Sequence, residues 1–99
     1  MNLRNQARNR PCQVRIPGIC DGGGETTVLA HYRLAGTCGT GMKPPDSQAA
    51  WCCGPCHDMV DGRTKPVIHG CLVSDEYIRL AHADGVMRTQ YQLKKEGKL

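Results

Sequence analysis

Phenylalanine is absent from this 99-residue sequence, tryptophan occurs once and tyrosine three times. Large apolar anchors are therefore scarce, in a chain short enough to bury a smaller fraction of its surface than a large domain does. Chains with so thin a core generally need a covalent or metal staple. No stretch approaches the roughly 18 apolar residues of a membrane span, so no transmembrane segment is expected. Internal repeats and low-complexity stretches are also missing. Met1 to Arg10 are polar and basic with no apolar h-region, so no secretory signal is expected. The length predicts a single domain over residues 1–99.

What the chain does have is cysteine. Seven cysteines are an odd number, which sits poorly with a closed disulfide framework. Reduced thiols in the cytoplasm, some of them binding metal, are the expectation. The net charge of +4 is compatible with nucleic acid and equally with an ordinary solvated face. Its distribution says more. Arg4, Arg8, Arg10 and Arg15 crowd the N-terminal region, and Lys94, Lys95 and Lys98 crowd the C-terminus.

Residues 1–11 read as a basic lead-in. Cys12-Gln13-Val14-Arg15-Ile16 alternates and predicts a short strand. Pro17-Gly18 is a turn signal, and Asp21 to Gly24 a loop. Thr26 to Tyr32 is β-prone, so these two segments are expected to pair as a hairpin. Residues 35–47 hold Gly36, Gly39, Gly41, Pro44 and Pro45 and form a long loop of the kind that carries function. Gln48 to Cys52 suits a short strand or turn. Pro55 fits the first turn of a helix over about 55–61, ended by Gly62. Pro66 to Gly70 reads as extended. Ser74 is a candidate N-cap with Asp75 and Glu76 in the first turn. The helix that follows runs past Gly85 or breaks in two at Asp84-Gly85.

Cys53-x2-Cys56 has knuckle spacing, and a tetrahedral zinc needs a second pair of ligands. Cys12 and Cys20 can supply it, since a strand and the Pro17-Gly18 turn could bring both sulfurs to one point. Cys71 is the substitute if either is unused. Cys52, next to Cys53, is expected to point elsewhere. Cys38 has no assigned role. A Cys12, Cys20, Cys53, Cys56 zinc site would contribute on the order of 10 kcal/mol or more to folding. That exceeds the net stability of many domains, about 5–15 kcal/mol. A thiol redox role for Cys53-x2-Cys56 is disfavoured, because no βαβ pattern surrounds it.

His57 follows Cys56 directly, and Asp61 lies four residues on, hence on the same helical face. Imidazole and carboxylate together suit Mg²⁺, Mn²⁺, Ni²⁺ or Zn²⁺. His31, late in the second expected strand, can serve as a general base on water. Beside a divalent ion, that gives phosphodiester hydrolysis. Arg33, Arg63 and Lys65 could contact phosphates, which positions a duplex without reading its bases. His69 and His82 lack partners at ligand spacing, although His82 could face DNA.

A histidine-bearing hairpin, a loop and a Cys-x-x-Cys-His segment entering a helix resemble the HNH nuclease family. The resemblance implies an α+β fold: a small zinc-bound ββα-metal (HNH or treble-clef-like) core with an added C-terminal helix or helices. It implies a DNA endonuclease with His31 as general base and His57 and Asp61 holding a catalytic Mg²⁺, Mn²⁺ or other divalent ion. Gln48 stands where the family often has an asparagine that orients the base. Ala30 stands where an acid or histidine often precedes the base, and Asp46 or water could fill that position. The segments Cys-Gln-Val-Arg-Ile-Pro-Gly-Ile-Cys, Ala-His-Tyr-Arg, Lys-Pro-Pro-Asp and Cys-His-Asp-Met-Val-Asp-Gly-Arg are similar to the prophage-encoded YbcO-like group of nucleases. Double-stranded DNA is the implied partner. The alternative is a non-catalytic zinc module that binds DNA or a protein, which explains the cysteines and the charge without His31. Oligomeric state is not readable.

Overall fold

A computed structural model of the chain describes residues 2–99. The basic lead-in contains a helical turn, α1 (Leu3–Gln6), started by Asn2, whose Oδ1 accepts the amides of Arg4 and Asn5. Just beyond it, Ala7 is buried against Trp51 and Leu93, with Leu3 and Leu29 packed alongside.

The expected strand over 12–16 does not form, and neither does its hairpin with 26–32. Arg15 adopts φ +56°, which interrupts any extended run. The amides of Cys12 and Gln13 instead donate to the carbonyls of Gly22, at 3.0 Å, and Trp51, at 2.7 Å. The alternation in this segment reflects a loop that buries Val14 and Ile16.

Strand β1 (Val28–His31) pairs with β2 (Ala49–Cys52), antiparallel, with Val28 opposite Cys52 and His31 opposite Ala49. All four residues of β2 are buried, as in a strand covered on both faces. Ala50 and Cys52 join a cluster with Val14, Ile16 and Met59, while Trp51 belongs to the second cluster with Ala7 and Leu93.

Helix α2 (Gly54–Val60) opens with Pro55 in its first turn and Cys53 as N-cap. It stops at Asp61, after which Gly62 takes φ +76°. Two-residue strands β3 (Val67–Ile68) and β4 (Cys71–Leu72) form a small ladder.

Helix α3 (Asp75–Lys95) is capped by Ser74, whose hydroxyl accepts the Tyr77 amide. It is one continuous helix; Asp84-Gly85 does not break it. Gly85 is there for clearance, because a Cβ would lie 2.8 Å from Val14 Cγ2 and 3.1 Å from the Gln13 carbonyl. Helix α3 lies against β2. Thr89 Oγ1 accepts the Trp51 amide at 3.0 Å and donates to the Gly85 carbonyl at 2.8 Å.

The two ends of the chain are tied together. Arg10 makes two bonds of 2.6 Å to the Glu96 carboxylate, and its guanidinium stacks 4.4 Å over the Trp51 ring. That pairing, with Lys98 and Gln92 adding hydrogen bonds, holds the Glu96 carboxyl well below the usual carboxylate range. The result is a small α+β fold. Among the described residues no helix is long and apolar enough to cross a membrane.

Candidate metal centre and histidine cleft

Two stretches of backbone deliver four sulfurs to one point. The 12–20 loop brings Cys12 and Cys20, and the start of α2 brings Cys53 and Cys56. Their Sγ atoms all lie within 4.8 Å of one another. Cys20 and Cys53 are 3.8 Å apart. A tetrahedral zinc with Zn–S bonds of ~2.3 Å needs sulfurs about 3.8 Å apart. Backbone amides support the cluster, with Gly22 donating to Cys20 at 3.3 Å and Cys56 to Cys53 at 3.5 Å. The donor set therefore fits a metal ion such as zinc.

The charge balance points the same way. Hydrogen bonds from the Cys52 and Cys56 thiols pull the Cys12 thiol far down, while burial first of all pushes the Cys53 thiol up. The Cys56 thiol, donating to Cys12, is pushed up to about 11. Without a countercharge, clustered sulfurs resist becoming anions together. A divalent cation removes that penalty, and its binding releases the thiol protons.

Cys52 does not point away, as its neighbour relation to Cys53 suggested. Ala50 and Cys52 share the inner face of β2, and the neighbouring Cys12 and Cys56 sulfurs push the Cys52 thiol up. Cys71 is exposed and outside the cluster, and the half-buried Cys38, whose thiol faces the Leu34 carbonyl, is outside it as well.

His31 is the last residue of β1. Its Nε2 lies 2.7 Å from Asp46 Oδ1, so the imidazole's direct partner is this carboxylate. Gln48 makes no hydrogen bond to the ring. Its side-chain amide donates to the Tyr32 carbonyl at 2.7 Å and to Thr37 Oγ1 at 2.8 Å, which pins the peptide following Tyr32, while its own backbone carbonyl accepts the Tyr32 amide at 2.9 Å.

On α2, His57 Nε2 and Asp61 Oδ2 are 3.0 Å apart, as their spacing predicts. Arg63 closes over this pair, with Nη2 2.9 Å from Asp61 Oδ2 and Nη1 3.1 Å from Asp58 Oδ1. Arg63 is therefore already ion-paired. His31 and Asp61 line one cavity of about 170 Å³, together with Arg33, Arg79 and His82. They share this cleft without sharing a ligand cluster. Among the described residues, the four cysteines are the one group of three or more His, Cys, Asp or Glu side chains close enough to hold an ion.

His82 is buried and does not face outward toward a duplex. Its Nε2 donates to the Ala30 carbonyl at 2.9 Å, and its ring meets Tyr32 edge-on at 5.1 Å between centroids. Burial lowers its pKa, which keeps it neutral. It thus supports β1 one residue before His31. Two participants escaped the sequence reading in their actual roles: Asp46 as partner of His31, and Arg79, which stacks 4.7 Å over Tyr32 at the cleft. The acid in Lys-Pro-Pro-Asp-Ser was the available signal for the first.

A family model described as "Putative nuclease YbcO" matches residues 1–98. The protein of that name from Escherichia coli (strain K12) is 51% identical over 96 residues, covering 97% of this chain and 94% of the relative. "Putative nuclease ybcO" from Enterobacteria phage 82 matches to the same extent, 51% over 96 residues. A solved structure described as a putative bacteriophage protein from Escherichia coli str. K-12 substr. MG1655 superposes with a TM-score of 0.76 at 44% identity. It covers 97% of this chain and 100% of that one.

Proposed function

The chain belongs to the YbcO family, and on that premise we propose that it is a metal-dependent DNA endonuclease of the HNH, ββα-metal type, folded as a single domain and working in the cytoplasm. The observation that carries this reading is the cleft in which His31, held by Asp46, faces Asp61 of the His57–Asp61 pair.

His31 is the general base. With Nε2–H donating to Asp46, the ring's Nδ1 keeps a lone pair free to accept a proton from the attacking water. Asp46 fixes the ring's orientation and stabilises the imidazolium that forms. Gln48 acts at one remove, by fixing the backbone at Tyr32, next to His31. His57 and Asp61 would hold a Mg²⁺ or Mn²⁺ ion, which supplies positive charge for the phosphate in the transition state. Arg79 and Arg33 add cationic groups at the same cleft. Cys12, Cys20, Cys53 and Cys56 would hold a structural zinc and so fix the start of α2, from which His57 projects.

One observation favours a second reading, a zinc module that binds DNA or a protein without cutting. Arg63 already gives Asp61 a cation, at 2.9 Å. The Arg63 side chain is more than half exposed, so its pairing with Asp61 is a surface ion pair that contributes little and does not bar a divalent ion.

A plasmid-nicking assay decides between the two. Zinc-retaining protein with Mg²⁺ or Mn²⁺ should relax supercoiled DNA, and His31→Ala should abolish this while zinc content and thermal stability persist. Equal nicking by the variant would assign the activity to a contaminant.

A further inference from the structure

A second cavity reaches His31. It measures about 660 Å³ and is lined by Arg4, Arg8, Glu25 and Thr27 among others. His31 lines both this cavity and the Asp61 cleft. The proposed chemistry uses the cleft and leaves the larger cavity unexplained.

The two arginines differ from the rest of the basic N-terminal group. Arg10 is taken up by Glu96 and Trp51. Arg15 bonds the Cys12 carbonyl and Gln13 Oε1. The ion pairs and histidine–carboxylate contacts of the described residues involve Arg10, Arg63, Lys98, His31 and His57, and neither Arg4 nor Arg8. Both are exposed and four positions apart, Arg4 in α1 and Arg8 in the turn just beyond it. The opposite side of the same segment is fixed: Ala7 is buried under Trp51 and Leu93, and Arg10 is locked to Glu96. The guanidinium groups are thus presented from an anchored base, which reduces the ordering cost of binding an anion. Glu25 is the one carboxylate in the cavity and leaves it net positive.

We propose that the Arg4–Arg8 cavity binds the phosphate backbone of a DNA strand as it runs toward the scissile diester at His31. The proposal rests on the nuclease reading for the role of His31, but the binding it describes does not require cleavage. Guanidinium forks suit phosphate oxygens and carry no base information, so the contact would be indifferent to sequence.

The test is the salt dependence of binding to a fluorescent 20-base-pair duplex, using zinc-retaining protein without added Mg²⁺ or Mn²⁺. Each phosphate neutralised contributes about 0.9 to the slope of log affinity against log salt. Arg4→Gln/Arg8→Gln should lower the slope by about 2 and weaken binding at least about tenfold at low salt. Each single variant should lose about half of that slope. Lys94→Gln/Lys95→Gln, which removes equal charge outside both cavities, should leave the slope nearly unchanged. An unchanged slope in the arginine variants, an equal fall in the lysine variant, or no duplex binding by the parent chain would overturn the proposal. Parallel nicking assays separate the two ideas. Arginine-dependent binding without nicking sinks only the nuclease reading, and nicking with arginine-independent binding sinks only this one.

Discussion

His31 and Asp46 meet at 2.7 Å although they belong to different structures, one to the end of β1 and the other to the long loop before β2. The loop is steered into place from both sides. Gln48 clamps it to Tyr32 and Thr37, and Gln90 of α3 donates to the Ser47 carbonyl at 2.8 Å. The imidazole's orientation therefore depends on residues that make no hydrogen bond to it.

Asp46→Asn should lower kcat for plasmid nicking by about 10²-fold or more, within the range that oriented general-base catalysis supplies, while KM changes little. Gln48→Ala should lower kcat less, because its effect passes through the Tyr32 carbonyl, one peptide beyond His31. Steady-state kinetics on matched zinc-loaded samples would check both. Equal kcat for Asp46→Asn and the parent chain would remove the His31–Asp46 pair from the mechanism.

Metal analysis should find about one tightly held zinc per chain. Cys53→Ala should lose it and unfold, since the metal is worth on the order of 10 kcal/mol or more in small zinc domains. Cys38→Ala should retain both zinc and fold. Cys52→Ala should keep the zinc as well, because Cys52 lies beside the four-sulfur cluster and is not a member of it. Circular dichroism with and without a strong chelator reads these outcomes directly.

Gly85→Ala should destabilise the protein by about 1–3 kcal/mol, the usual cost of overpacking. Helix propensity alone favours alanine by about 1 kcal/mol. The added methyl meets Val14 Cγ2 at 2.8 Å and Val14 Cα at 3.0 Å, and backbone cannot move aside as a flexible side chain can. Denaturant titration gives the sign, and a net gain in stability would contradict the close approach of α3 to the 12–16 loop.

Glu96→Gln should lower the melting temperature near pH 7. The folded Glu96 carboxyl has its pKa depressed, chiefly by Arg10. Such a group stabilises the fold above its unfolded pKa, about 4.3. That contribution is lost as pH falls through the folded value. The gap between parent and variant should therefore narrow on acidification below about pH 4. Parallel melts from pH 7 downward would test this, and a gap that persists at low pH would mean the Arg10 contact is not ionic in origin.

Local signals in the sequence were legible where one short segment fixes its own geometry. Pro55 and Gly62 bracket α2, Ser74 with Asp75 and Glu76 starts α3, and the Cys53-x2-Cys56 spacing points at the cluster. Errors arose where a distant segment decides. Cys12 to Ile16 alternates like a strand, but its amides go to Trp51 and Gly22 rather than to a neighbouring ladder. Gly85 looks like a break, yet it accommodates Val14 from the far side of the chain. Asp46 finds His31 only because β1 pairs with β2 across the intervening loop.

Cys56 and His57 are consecutive residues of α2 and so leave the helix about 100° apart. One enters the sulfur cluster and the other reaches Asp61 a turn later. Inserting or deleting a single residue between Cys53 and Asp61 would rotate one of these partners off its target. The 36–41 stretch, by contrast, carries glycines whose surroundings are open. Natural length variation in relatives should therefore gather there and spare the nine positions from 53 to 61.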